Sequence, residues 1–199
     1  MSETEILARL DRVESTLAIQ QLPIRYAIAI DSRDIDALVE LWADDVNCGS
    51  HGKGREALRG FIDPLIRDFY RTVHKITGHA IDFVDADHAT GKVYCHAEHE
   101  YGDRWIVQAI CYFDTYERRD GKWFFVRRDE DFFYTADHLE RPQDADFLRW
   151  PGPAPKHNPP MMLERLPSWV DFWSRSEVEK INQVTKHPVA EVREKYRRR

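Results

Sequence analysis

A change of hydrophobic period near Tyr70 constrains this chain more than any other feature. Upstream of it, apolar residues recur at helical spacing; downstream, they alternate. Val73–Val84, Ala89–Tyr101, Trp105–Glu117 and Lys122–Tyr134 read as long strands rich in branched and aromatic residues. The turn signals between them are Asp85-Ala86-Asp87, Gly102-Asp103 and Arg119-Asp120-Gly121. Turns this short join neighbours antiparallel, so the strands form a meander. Its apolar face needs cover, and the preceding helices supply it. The expected class is α+β: a cone-shaped α+β barrel in which a curved antiparallel sheet wraps around three N-terminal helices.

The helical part opens with a capping box, Ser2 and Glu5, followed by Ile6, Leu7, Leu10, Val13 and Leu17 at amphipathic spacing. Pro23 has no amide to donate, so a kink or restart is expected there. A segment from about Ile24 to Ile30 then delivers Tyr26 and Asp31 to one region, and a short helix restarts at Asp34 with Ile35, Leu38 and Leu41. A carboxylate thus stands where an apolar helix ends. Locally, Asp31 reads as a turn residue or as the N-cap of the second helix. Trp42 and Val46 lead into an extended piece ending at Gly49, and Gly52 and Gly54 precede a third helix, roughly Arg55 to Phe69. Its apolar stripe is Leu58, Phe61, Ile62, Leu65, Ile66 and Phe69, with a kink expected at Pro64.

A barrel domain over residues 1–135 would leave 136–199 as an extension rich in Pro and Trp. Phe147, Trp150, Trp169, Phe172 and Trp173 are too apolar for water, so this segment is expected to lie on the barrel or on a neighbouring subunit. A final helix is expected over Pro167–Val184, with a mobile charged tail beyond it. The net charge of −6 argues against nucleic acid as a partner. No apolar run approaches the ~20 residues needed to cross a bilayer, and the N-terminus lacks a signal pattern, so no membrane association and a cytoplasmic location are expected. Cys48, Cys95 and Cys111 are odd in number and widely spaced, which points to free thiols.

The strands carry His74, His79, His96 and His99. Residues an odd number apart on a strand face opposite ways, so neither His74 with His79 nor His96 with His99 can share a metal without a bulge. Phosphate-binding glycine loops and nucleophile elbows are absent. Any activity is therefore expected to run on side chains alone, with no metal and no cofactor.

Over about Ile6 to Tyr134 the chain resembles the SnoaL-like family of the nuclear transport factor 2-like superfamily. The marks are AIQQLPIRYAIAIDSRDIDALVELWADDV, TVHKITGHAIDFVDADHATG and YERRDGKWFFVRR, in that order and spacing. This family includes scytalone dehydratase, a bile-acid dehydratase and a lindane dehydrochlorinase. In its lyases an Asp at the end of the first long helix supports a His base on the first long strand, and Asp31 and His74 match those positions. A carboxylate at one imidazole nitrogen fixes the tautomer and stabilises the imidazolium formed when the other nitrogen takes a proton. By the same resemblance Tyr26 stands where the family uses a proton donor or polar anchor. Arg128 stands where the dehydrochlorinase has an arginine able to stabilise leaving-group charge. Cys48 replaces a cavity aromatic of the dehydrochlorinase, which implies a different substrate. Taken singly, His74 reads equally well as a core histidine, Arg128 as a surface ion pair with Asp129 or Glu130, and Tyr26 as helix packing.

Strand parity extends the site. If Arg128 faces inward, so do Val126, Glu130 and Phe132; if His74 does, so does Ile76. Lys92 and Glu98 suit solvent, which puts Val93, Cys95 and Ala97 inside, and the inward set of the third strand is taken as Gln108, Ile110 and Tyr112. Such a lining is apolar and aromatic with a few polar points, as in small-molecule sites. The resemblance implies a cofactor-independent lyase for a hydrophobic, aromatic molecule, releasing water or, as in related lyases of diarylpropanes, formaldehyde. A double-bond isomerase or cyclase using the same base and a non-catalytic binding or assembly module are the alternatives. A homo-oligomer, dimer or trimer, is expected.

Overall fold

The computed structural model describes residues 1–101 and 104–139. Its order is α1 (Glu3–Ser32), α2 (Ile35–Glu40), a short 3-10 turn (Gly49–His51), α3 (Arg55–Arg67), then β1 (Thr72–Phe83), β2 (His88–Tyr101), β3 (Arg104–Arg119) and β4 (Lys122–Asp137). The strands form one curved antiparallel sheet in sequential order. This is the cone-shaped α+β arrangement expected from the change of period. The expected extension and its helix, beyond residue 139, and the Gly102-Asp103 turn lie outside the described residues, and β4 runs two residues past the proposed domain limit at 135.

Ser2 and Glu5 cap α1 reciprocally: the Ser2 amide donates to Glu5 Oε2 at 2.7 Å and the Glu5 amide to Ser2 Oγ at 3.2 Å. The helix does not restart at Pro23, which is buried within one continuous α1. Burial in the core outweighs the one backbone bond the ring removes. The early apolar stripe behaves differently from its pattern. Ile6, Leu7, Leu10, Val13 and Leu17 remain half exposed, and the buried face begins at Ser15, because the first turns of α1 lie outside the core. α1 stops at Arg33, which adopts φ 62° and donates its amide to Ile30. Asp34, not Asp31, caps α2, accepting from the Ala37 amide at 3.0 Å. α3 ends two residues sooner than expected, with Phe61 and Leu65 exposed.

Asp120 and Gly121, at φ 49° and 77°, make the two-residue turn between β3 and β4. Positive φ at both central residues matches the strand twist. Among the described residues the sheet is bulged in three places: in β1 between Ile76 and Gly78, and in the β3/β4 pairing at Ala109/Ile110 and Thr115/Tyr116. A bulge inverts side-chain parity downstream. His79 therefore joins His74 on the concave face, contrary to the unbulged expectation. Phe125 and Arg128 both face inward, which takes Val126 off that face. Among the described residues there is still no group of three or more His, Cys, Asp or Glu placed to hold a metal ion.

Two apolar clusters result. One joins the helices to the hairpin end of the sheet through Ile19, Leu22, Ile30, Leu38, Trp42, Ile62, Tyr116, Trp123 and Phe125. The other lies along the concave sheet: Val93, Cys95, Ala97, Ile110 and Tyr112, with Ile76 and Phe132 against them. Polar groups of interest fall where the two meet. No described helix is long and apolar enough to cross a membrane.

Candidate active site

The end of α1 is tied to the start of β1 by Arg33. Its guanidinium donates to the Ile30 carbonyl and Thr72 Oγ1, each at 2.7 Å, and to the Phe69 carbonyl at 2.9 Å. That clamp brings Asp31 against β1, where its carboxylate accepts three bonds. Thr72 Oγ1 donates to Oδ1 at 2.8 Å, the His74 amide to Oδ2 at 2.8 Å, and His74 Nδ1 lies 2.7 Å from Oδ1. Burial alone would raise the Asp31 pKa, but the bonds from His74 and Thr72 outweigh it and hold the carboxyl below its usual range. The carboxylate accepts, so in the neutral imidazole Nδ1 carries the proton and Nε2 the lone pair. Asp31 caps no helix, because its oxygens reach His74 across 43 residues of sequence and Asp34 caps α2 instead.

The His74 side chain is only 5% exposed. The His99 ring meets it edge-on at 5.4 Å between centroids. Burial, reinforced by the nearby His74, lowers the His99 pKa to about 3, so His99 is neutral at ordinary pH. Tyr26 stands on the other side, its ring perpendicular to His74 with centroids 6.4 Å apart. Burial pushes the Tyr26 hydroxyl up to about 12, against the pull of Arg128.

Arg128 is not a surface ion pair. Its Nε and Nη2 donate to Asp114 Oδ1 and Oδ2, both at 2.7 Å, and the two side chains are 6% and 0% exposed. The guanidinium lies 4.4, 4.1 and 4.6 Å from the ring centroids of Tyr26, Tyr112 and Phe125. Tyr116 donates to Asp114 Oδ2 at 2.8 Å, so its oxygen accepts from His79 Nε2 at 3.0 Å. Asp114 overcomes the effect of burial and raises the Arg128 pKa, keeping the guanidinium charged. Its third nitrogen, Nη1, is buried with no hydrogen-bond partner among the described residues.

Of the other expected lining residues, Ile76, Cys95, Ala97, Ile110, Tyr112 and Phe132 form the concave cluster. Glu130 pairs with Tyr112, and Gln108 with Ala97 and Thr135. Gln108 is buried and its Nε2 lies 3.4 Å from Thr135 Oγ1. Cys48 is not on the sheet; it sits half-buried after α2 against the helix-side cluster. Asp114, Tyr116, Thr72 and Arg33 were missed by sequence reasoning. Asp114 had a signal: an acid at an inward parity position between Tyr112 and Tyr116. The others act through contacts about 40 residues apart in sequence, for which no local pattern exists.

Fold and site define a cone-shaped α+β barrel with an imidazole–carboxylate pair set into the concave face of its sheet. The chain belongs to the SnoaL-like domain family, whose profile matches residues 11–129, within the nuclear transport factor 2-like superfamily. Hexachlorocyclohexane dehydrochlorinase 1 of Sphingobium indicum is 33% identical over 124 residues, 59% of this chain and 80% of that protein. The crystal structure of a type 2 hexachlorocyclohexane dehydrochlorinase superposes with a TM-score of 0.59 at 31% identity, covering 67% of this chain and 98% of the other. A scytalone-dehydratase-like protein of Novosphingobium aromaticivorans gives 0.57 at 26% identity, covering 66% and 93%.

Proposed function

We propose that the protein is a cofactor-independent lyase acting on a small hydrophobic, aromatic molecule. His74 Nε2 removes a proton from carbon while Asp31 stabilises the imidazolium. Arg128, held by Asp114, offers its Nη1 donors to charge developing on the departing group, and Tyr26 anchors the substrate beside it. Loss of water completes the elimination; for formaldehyde, the same base takes the O–H proton of a hydroxymethyl group, the C–C bond breaks to release formaldehyde, and its electron pair forms C=C as a neighbouring hydroxyl leaves as water. Dehydrochlorinase relatives support elimination as the reaction type.

The single observation that carries this reading is the 2.7 Å contact between Asp31 Oδ1 and His74 Nδ1, which leaves one basic nitrogen on the concave face. A screen of aryl β-hydroxy ketones, aryl β-chloro ketones and aromatic diols, followed by absorbance of the alkene product, tests it. His74→Gln and Asp31→Asn are each expected to lower kcat by about 10²–10⁴. A His74→Gln protein with a wild-type circular dichroism spectrum and full turnover would remove the base from the mechanism.

A further inference from the structure

We propose that Glu130 is the general acid of this site, and that the group it serves is a hydroxyl lost as water rather than a halide. This rests on the lyase reading and narrows its leaving group.

The placement of Glu130 follows from register. It lies directly opposite Tyr112 in the β3/β4 ladder, and directly opposed residues project to the same side of a sheet. Tyr112 is buried on the concave face against Tyr26 and Arg128, so Glu130 shares that face. Phe132, two residues on, packs into the same concave cluster. Glu130 makes no hydrogen bond and no ion pair among the described residues, whereas every other carboxylate described at the site is engaged. The nearby cation, Arg128, is committed to Asp114 through two bonds. Glu130 keeps solvent contact while its carboxyl is crowded by the side chains of the concave face, so a bound molecule can both reach it and shut water out.

Its chemistry differs from that of every other group there. The titratable and charged groups that interact with it are Tyr26 on α1, His74 on β1, Tyr112 on β3 and Arg128 on β4, with the Cys95 thiol of β2 in the same concave cluster. Desolvation raises the Glu130 pKa more than Arg128 and His74 lower it. Tyr26 and Cys95 are pushed to about 12 and about 11, and Arg128 stays charged, so these hold their protons at neutral pH. Glu130, whose pKa is raised by its surroundings, is the group there shifted towards donating a proton. Chloride departs without a proton, whereas hydroxide is strongly basic and departs as water only when protonated.

In the step this predicts, the C–H bond breaks and its proton goes to His74 Nε2. The released electron pair forms C=C as the C–O bond breaks, and the Glu130 proton passes to the departing oxygen to give water. His74 then carries one proton too many and Glu130 one too few, and solvent exchange restores both.

Two measurements test the proposal on the intact chain. Infrared difference spectra of wild type against Glu130→Gln, taken across pH, should show a carboxylic acid C=O band that persists above the pH at which a solvated glutamic acid ionises and that the variant lacks. With 4-hydroxy-4-phenylbutan-2-one and its 4-chloro counterpart, which give the same enone, Glu130→Gln should lower water loss by about 10²–10⁴ more than it lowers chloride loss. His74→Gln should abolish both. An acid band that disappears at the pH of a solvated glutamic acid, or a Glu130→Gln variant that slows both reactions alike or neither, overturns the role of Glu130. Retention of both reactions by His74→Gln instead overturns the underlying base, so the two failures are told apart.

Discussion

Replacing Asp114 by Asn should destabilise the protein through Arg128. The wild-type pair is bidentate at 2.7 Å, with side chains 6% and 0% exposed, so water cannot take over when the charge of Asp114 is lost. Asn is nearly isosteric but offers one acceptor oxygen, and its amide group meets a guanidinium N–H donor to donor. Removing one partner of a buried pair costs about 3–5 kcal/mol. Three aromatic rings within 4.6 Å of the guanidinium remain and continue to stabilise it. The lower end of that range, about 3 kcal/mol, is therefore expected. For a chain of this size each kcal/mol moves Tm by roughly 2–4 °C, giving a fall of roughly 6–12 °C. Thermal unfolding followed by circular dichroism reads this directly. The double variant Asp114→Leu/Arg128→Met removes both charges and should recover most of the loss while leaving the site inactive. A single variant within about 1 kcal/mol of wild type, the range of a surface pair, would refute the account of a desolvated clamp.

Other outcomes follow from the same geometry. His99 is buried neutral, with its pKa moved from 6.5 to about 3. Between those values the unfolded chain takes up a proton that the folded chain refuses, so stability falls as pH drops from 6.5 towards 3, at up to about 1.4 kcal/mol per pH unit. His99→Phe should flatten that slope in denaturant melts taken at several pH values. Asp31 has a depressed folded pKa, so its contribution is present above its unfolded value of 3.8 and is lost as pH falls below it; Asp31→Asn should remove this acid limb. Gly91→Ala would set a Cβ 2.9 Å from both His79 Nε2 and the Tyr116 ring, and a loss of about 1–3 kcal/mol is expected in urea titration. Thr72→Val removes the hydroxyl that accepts from Arg33 and donates to Asp31, and should cost about 1 kcal/mol while raising KM less than it lowers kcat.

How far the site was legible depends on how far apart its parts lie in sequence. The capping box at Ser2 and Glu5, the Asp120-Gly121 turn and the alternation of β2 are each written within a few residues, and each appears where its pattern sets it. Asp31 and His74 were located as a pair through family resemblance, because no local rule connects a helix end to a strand 43 residues later. Parity found Ile76, Cys95, Ala97 and Tyr112, and failed at His79 and Val126. His79 lies just past a bulge, where one extra residue swaps the faces, and Val126 is itself the extra residue of another.

The sequence by itself determined which segments are helix and which are strand, the order of the meander and its turns, since those depend on period, caps and the φ preferences of a few residues. Tertiary structure decided which face each side chain of the site presents, that Asp34 caps while Asp31 reaches across to His74, and that Arg128 is clamped by Asp114. Those outcomes depend on strand register and on where the sheet bulges to follow its own curvature. Both are settled by the packing of the whole sheet on α1, so no short stretch of the chain can encode them.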